Sequence, residues 1–278
     1  MASVDIANQA LIALGHQTIT ALTDTDVTSV RCNTIYNTVR KDLLAKHPWN
    51  FALKRSNLVD ITRPDIDLWE TATDYEVDDV AEFDSVHYTC LIANTSTDFA
   101  ADLAAAKWET TTDWVTSTSY AVGDQIYHTG VAYTCIEPHT SGVFATDYGT
   151  NSYWVLSIDP EYEYEYAFRL PTDCLRVLSN YLDYEHKIEG GYFYTNASTA
   201  SIRYIYDNED TDTYDPAFTT ALVTALAAAL ALAITNNRNI TADMKQEAAA
   251  RKIEALGTDA QGGGTPDEPR CDEWLNAR

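Results

Sequence analysis

The chain has 278 residues, a formal net charge of −24 and a hydrophobic content of 45%. This composition is enough for a buried core and excludes a disordered chain, and the surplus of carboxylates excludes ordinary nucleic-acid binding, which needs clustered lysine and arginine. Two explanations of the charge stay open: a solvated acidic surface, or a surface past which nucleic acid moves without adhering.

The first 60 residues predict two helices and a strand. Apolar residues at helical spacing follow Ser3, which suits an N-cap, and Gly15 is a natural end for this helix. A second, longer helix follows the turn at 23–26 and ends before Pro48, because the residue before a proline disfavours helical backbone. Residues 53–59 form a candidate strand.

The middle of the chain is a duplication. Residues 69–99 recur as residues 114–144 with a constant offset of 45 positions, and each copy ends in a closing tryptophan, Trp108 or Trp154. A register kept without gaps between aromatic and turn residues indicates two copies of one small folded unit. Their alternating Tyr-Thr-Cys segments predict strands, and a unit of this size depends on aromatic residues for its core.

The sequence after the duplication predicts strands followed by helices. Tyrosine and phenylalanine alternate with polar residues over 162–170, and two further strand candidates follow before Asp215. Asp215-Pro216 is a strong helix start, an acidic N-cap followed by proline at the first helical position. A fourth helix is expected to open at Thr241 and to end at Gly257.

These elements predict an α+β fold. An antiparallel helical bundle with a β-rich part is interrupted by two small tandem all-β modules and ends in a flexible arm, which is rich in glycine and proline. The predicted segments are the first half of a host domain (1–63), β module 1 (64–111), β module 2 (112–160), the second half of the host domain (161–257) and a C-terminal arm (258–278).

Targeting segments are not evident in the sequence. The most apolar stretch, residues 221–234, is dominated by alanine and is shorter than a membrane span. The N-terminus has no basic segment followed by an apolar run, so no signal peptide is predicted. We therefore expect the protein to contact no membrane and to fold in a cytoplasm.

Catalytic and metal-binding motifs are also missing. The five cysteines form no CxxC pair, the six histidines include no HExxH motif, and no GxSxG, Walker or GxGxxG sequence is present. Asp78-Asp79 and the set Glu161, Glu163 and Glu165 are weak catalytic candidates, because the second set alternates with aromatic residues as the solvated face of a strand does. The sequence predicts a protein that is not an enzyme and has no metal site and no cofactor.

Several motifs in the host segments occur in a specific order. They are ALIALG (10–15), ITAL (19–22), AxHPWNFA (45–52), AFRLPxDCLRV (167–177), IRY (202–204), YDPxF (214–218) and DxWLxAR (272–278), where x is a position outside the pattern. In order and spacing they resemble the head-to-tail adaptor family of short-tailed phages, also called tail tubular protein A or tail accessory factor. The resemblance covers roughly residues 1–60 and 162–278.

This resemblance implies a structural role in a virion. It implies a homo-oligomeric ring of twelve copies between the portal protein and the tail nozzle protein, through which genomic DNA passes as cargo. The chain would be assembled in the cytoplasm of the host bacterium and located in the neck of the tail. The C-terminal arm would reach the portal through Trp274, Leu275 and Arg278.

The second copy of the duplication resembles small carbohydrate-binding modules of the chitin-binding type found on chitinases. The matching motifs are YTC (133–135) and HTS (139–141), while the first copy departs with Asp78 for Gly123 and Asn94 for His139. His139 itself is interpreted as a loop residue. Exposed aromatic rings stack on sugars in such modules, so the resemblance implies eight candidate glycan-binding residues. They are Trp69, Tyr75, Tyr88 and Trp108 in the first copy and Trp114, Tyr120, Tyr133 and Trp154 in the second. Most of them must form the small core of each module, which leaves one or two per copy for a ligand.

Three uses of the modules stay open: glycan binding, docking of neighbouring tail proteins or fibres, and mere decoration. The alternative for the whole chain is a surface or secreted glycan-binding protein that uses the host domain as a scaffold. The missing signal peptide favours the adaptor.

Overall fold

A computed structural model describes residues 1–160, 163–180 and 185–262 of the chain. The helices are α1 (Ser3–Ala13), α2 (Val27–Lys46), α3 (Phe99–Ala104), α4 (Phe144–Gly149), α5 (Pro216–Thr235) and α6 (Arg238–Gly262). The first strands are β1 (Leu53–Asn57), β2 (Val59–Asp60), β3 (Asp74–Tyr75), β4 (Val80–Phe83), β5 (Val86–Cys90), β6 (Asn94–Thr95) and β7 (Trp108–Thr110). Next come β8 (Ser119–Tyr120), β9 (Gln125–His128), β10 (Val131–Cys135), β11 (His139–Thr140), β12 (Trp154–Leu156), β13 (Tyr166–Arg169), β14 (Cys174–Asn180), β15 (His186–Glu189), β16 (Tyr192–Thr195) and β17 (Ser201–Tyr206).

These helices and small sheets confirm the predicted α+β class. The described residues divide into two compact units. The helical unit contains Met1–Arg55, Thr172–Ser179 and the described chain from Ile202 onward. The β unit contains Ser56–Pro171 and Asn180–Ser201.

The helical unit is centred on α5, which packs against α1, α2 and α6. The start of α5 agrees with the sequence, because Asp215 is its N-cap and Pro216 its first residue. The core includes Trp49, which has no exposed surface and donates a hydrogen bond from Nε1 to the Leu43 carbonyl at 3.0 Å. Its ring meets the Phe218 ring edge to face, with centroids 4.9 Å apart. A three-stranded sheet in the order β1–β17–β14 completes the unit.

The apolar helix α5 extends beyond the most apolar stretch of the sequence, residues 221–234. It has 20 residues, and within the described chain it alone is long and apolar enough to cross a membrane by length and composition. Half of its most apolar window is buried within the fold, as in the core helix of a folded protein.

The last helix corrects a predicted boundary. Helix α6 begins at Arg238, three residues before Thr241, and it continues through Gly257 to Gly262. The start of the predicted flexible arm is therefore helical. The expected portal-docking residues Trp274, Leu275 and Arg278 lie outside the described residues.

The β unit contains a four-stranded antiparallel sheet in the order β15–β16–β13–β2. Strand β13 pairs with β2 through Phe168 and Asp60, and this pairing joins residues after the duplication to residues before it. The predicted division at residue 160 therefore does not coincide with the boundary between the two units, since Tyr166–Arg169 fold with the modules.

Each module repeats the same set of elements. Module 1 has a β3–β6 pair, a β4–β5–β7 sheet and α3, and module 2 has a β8–β11 pair, a β9–β10–β12 sheet and α4. Each sheet is antiparallel. The offset is 45 residues up to the short helix, and module 2 has one additional residue before its closing tryptophan.

The two modules are packed against each other. The β9–β10 turn of module 2 reaches β5 of module 1, where the His87 amide donates to the Gly130 carbonyl at 3.0 Å. The Gly130 amide in turn donates to the Thr111 carbonyl at 2.8 Å. The His87 ring is buried and meets the Tyr127 ring edge to face at 4.6 Å.

Candidate functional site

The closing tryptophan of each module lies in the core of that module and not on its surface. Trp108 is 2% exposed and Trp154 is 1% exposed. Tyr75 meets Trp108 edge to face at 5.0 Å, and Tyr120 meets Trp154 in the same way at 4.9 Å. The inference that Trp108 and Trp154 stack on sugar is therefore wrong, because a ring without accessible surface has no face to offer.

The two tyrosines beside these tryptophans have a structural role in their loops. The Tyr75 hydroxyl accepts a hydrogen bond from the Glu70 amide at 2.8 Å, and the Tyr120 hydroxyl accepts one from the Val115 amide at 2.9 Å. Both rings are partly buried. Because each hydroxyl bonds to the equivalent loop of its own module, we assign both tyrosines a structural role and not a role in ligand binding.

The other four candidates are partly buried around a central phenylalanine, Phe99 in module 1 and Phe144 in module 2. The ring-centroid distances to that phenylalanine are 5.4 Å for Trp69, 4.8 Å for Tyr88, 5.8 Å for Trp114 and 4.9 Å for Tyr133. These rings keep some accessible surface, so the structure leaves each module one aromatic cluster that a ligand could touch.

His139 connects strand β11 to the core of module 2. Its Nδ1 lies 2.9 Å from the Glu137 carbonyl, and its Nε2 lies 3.1 Å from Trp154 Nε1, which can only donate. One neutral tautomer, protonated on Nδ1, satisfies both contacts. The interpretation of His139 as a loop residue is corrected, since it lies in a short strand and its side chain is 5% exposed.

Tyr148 is an exposed aromatic residue that the sequence interpretation missed. It lies in α4 with 42% of its surface accessible, its ring parallel to Phe144 at 5.9 Å and edge to face with Tyr133 at 5.2 Å. The equivalent position in module 1 is Leu103. The sequence contained a signal for this residue. An aromatic residue that occurs in only one copy is not needed for the core that both copies share.

The hydroxyl of Tyr133 is available as a hydrogen-bond donor. Burial, and then the neighbouring Tyr148, raise the pKa of Tyr133 above its ordinary value. It therefore remains protonated at neutral pH and, next to the exposed Tyr148 ring, could donate to a ligand oxygen.

Among the weak catalytic candidates, Asp78 and Asp79 belong to a turn of module 1, and Glu161 lies outside the described residues. Asp78 lies in a turn with φ 74°, and Asp79 accepts the Glu76 amide at 2.8 Å. Across the described ranges, no group of three or more histidine, cysteine, aspartate or glutamate side chains is placed to hold a metal ion.

Comparison with known proteins identifies one segment of the chain. Residues 113–152 match the family model of carbohydrate-binding module family 5/12. These residues span β8 to α4 and include both Tyr133 and Tyr148. A search with the whole chain against curated proteins gives no match. The second β module is therefore a carbohydrate-binding-like module.

Proposed function

We propose that this chain is a structural head-to-tail adaptor of a short-tailed phage, with a β unit whose second module binds glycan. It forms a ring, of twelve copies by the family resemblance, between the portal protein and the tail nozzle. Genomic DNA passes through the ring as cargo. The chain has no catalytic role, is assembled in the cytoplasm of the host and contacts no membrane.

The arrangement of the helical unit supports the adaptor part of the proposal. Both ends of the described chain contribute to this unit, although the β modules separate them in sequence. Three of the adaptor-like motifs lie at structural junctions: residues 10–15 end α1, residues 45–52 lead from α2 to β1, and residues 214–218 start α5. The net charge of −24 suits a conduit that repels DNA instead of retaining it.

The match at residues 113–152 is the observation that carries the glycan part. When the described parts of both modules are compared, only the copy covered by this match has an exposed tyrosine, Tyr148, beside its aromatic cluster. Binding by this module would bring the tail to a host glycan. Docking of a tail fibre or another tail protein on the same module is the competing use.

A surface or secreted glycan-binding protein remains the second candidate, and the same module match favours it. The two functions differ in location. We expect antibodies or an affinity label on this chain to mark the neck below the portal vertex in electron micrographs of the virion. Label found only in the secreted fraction or on cell surfaces would contradict the adaptor and support the second candidate.

The glycan part has its own test, on the full chain. We expect purified protein to bind members of a glycan array through module 2. Absence of binding to every sugar on the array would contradict glycan recognition and leave the adaptor role standing.

A further inference from the structure

Module 1 has an exposed apolar cluster at one end of its β4–β5 pair. The exposed fractions are 52% for Val77, 39% for Leu91 and 54% for Ile92. Single apolar residues scattered over a surface are normal, whereas apolar residues that lie together mark an interaction site. The question is whether these three residues lie together and what covers them.

A backbone hydrogen bond places the three residues beside one another. The Asp78 amide donates to the Cys90 carbonyl at 2.9 Å. Because β4 and β5 are antiparallel, the residue before Asp78 lies opposite the residues that follow Cys90. Val77 is therefore next to Leu91 and Ile92, and we call these three residues the apolar end of module 1.

Module 2 shows the equivalent position in a covered state. Ile136, the equivalent of Leu91, is partly buried and packs against a cluster that includes Ile61. The backbone is the same in both copies, since the Leu91 amide donates to the Lys107 carbonyl at 2.7 Å and the Ile136 amide donates to the Tyr153 carbonyl at 2.8 Å. One position is thus a packing contact in module 2 and an open apolar surface in module 1.

The charges beside the apolar end restrict the class of partner. Module 1 has three exposed acidic residues at positions where module 2 has uncharged ones. They are Asp74 for Ser119, Glu76 for Ala121 and Asp78 for Gly123. Carboxylates around an apolar surface attract lysine and arginine, and a second copy of this chain, with its net charge of −24, would be repelled.

We propose that the apolar end of module 1 docks a segment of another protein in which basic residues alternate with branched apolar residues. The apolar side chains of that segment pack on Val77, Leu91 and Ile92, and its basic side chains pair with Glu76 and Asp78. The apolar contacts supply most of the affinity, and the exposed charges select the partner. This inference goes beyond the proposed function and does not depend on glycan binding by module 2.

The test measures binding of three short synthetic peptides to the full chain by isothermal titration calorimetry. Lysine alternates with isoleucine in the first peptide, glutamate replaces lysine in the second, and serine replaces isoleucine in the third. We expect the first peptide to bind more tightly than the other two, and to bind more weakly as the salt concentration rises. Equal binding of all three, or no binding of the first, would overturn the proposal.

Val77→Ser and Val122→Ser locate the binding site, because they are the same change at equivalent exposed positions of the two modules. Val77→Ser should weaken binding of the first peptide about fivefold, the scale of one partly buried apolar side chain. Val122→Ser should leave it unchanged. Both variants should melt at the wild-type temperature, since both side chains are exposed. Equal weakening by the two variants would exclude the apolar end of module 1 as the site.

The acidic residues have a separate variant, Glu76→Gln combined with Asp78→Asn. Asparagine accepts the positive φ of 74° at position 78, so the turn should be retained. We expect weaker binding of the first peptide and a smaller dependence on salt. An unchanged salt dependence would overturn the role of these carboxylates. Self-association of wild type that Val77→Ser abolishes, measured by sedimentation, would show that a second copy and not a basic partner occupies the surface.

Discussion

Gly130 lies where module 2 contacts module 1, and its backbone bonds to His87 and Thr111. Its φ is +78°, and an added Cβ would lie 2.9 Å from the His87 carbonyl oxygen and closer still to Val86 Cγ1. We expect Gly130→Ala to lower the free energy of unfolding of the β unit by about 1–3 kcal/mol. Alanine would be strained there by the positive φ and by its close contact with Val86 and His87. Urea denaturation followed by tryptophan fluorescence measures this change.

Gly149→Ala is the matched control for that experiment. Gly149 has open space around its Cα within the described chain, so alanine there should change the unfolding free energy little. Equal effects of the two substitutions would show that the junction between the modules is not closely packed.

The bond between His139 and Trp154 gives a second residue-scale prediction. Asparagine replaces this histidine in module 1, where the buried Nε1 of Trp108 has no hydrogen-bond partner among the described residues. His139→Asn should therefore destabilise module 2 by about 1–3 kcal/mol, since it leaves Trp154 Nε1 unpaired. The reciprocal Asn94→His should stabilise module 1. Loss of stability in both variants would show that the two sites are not equivalent.

At this scale the sequence identified the aromatic residues but not their accessibility. Tyr-Thr-Cys and the closing tryptophans predicted the strands and core of each module. The same aromatic chemistry serves the core and the ligand surface, so periodicity alone could not separate Trp154, which is buried, from Tyr148, which is exposed. The comparison of the two copies does separate them.

Among the helices, α2 has the best-defined start. The Asp26 carboxylate accepts the Thr28 amide at 2.9 Å and the Ser29 amide at 3.1 Å. The Ser29 hydroxyl and these amides hold the pKa of Asp26 below its ordinary value. A lowered pKa in the folded state means that the stabilisation is present above the unfolded-state pKa and is lost as pH falls through the folded-state pKa.

The prediction for α2 is a pH-dependent effect of Asp26→Ala. The variant should melt at a lower temperature than wild type at neutral pH, and the difference should shrink as the solution is acidified below the ordinary range of aspartate. Circular dichroism at the two pH values measures it. Asp215→Ala is the control, because the Asp215 side chain makes no cap hydrogen bond. A difference in melting temperature that persists in strong acid would contradict the assignment of the Asp26 carboxylate as the cap that stabilises α2.

Helix starts and helix ends were each predicted correctly at some positions and not at others, since the N-cap of α1 is Ala2 and not Ser3. Gly15 has φ +69° and follows α1 as expected, and the Asp215-Pro216 start of α5 was also correct. Gly257 was expected to end α6 and does not. Glycine inside a helix costs only about 1 kcal/mol relative to alanine. The buried residues Ala255 and Asp259 on either side give α6 enough packing to continue.

At the scale of the whole molecule, the duplication and the α+β class could be predicted from the sequence, because both depend on local patterns. The boundary between the two units could not be predicted from the sequence. It depends on the pairing of Phe168 with Asp60, which are far apart in sequence, and no local pattern specifies a partner across such a distance. The adaptor role that we propose for the chain requires its assembly with a portal.

The most direct test is a mass measurement of the purified full chain, alone and mixed with the portal protein encoded by the same genome. We expect a complex that contains the portal and multiple copies of this chain, in the number set by the symmetry of the ring. A Tyr148→Ala variant should assemble equally well, because our proposal assigns the adaptor role to the helical unit. A chain that stays monomeric and does not associate with the portal would contradict the adaptor.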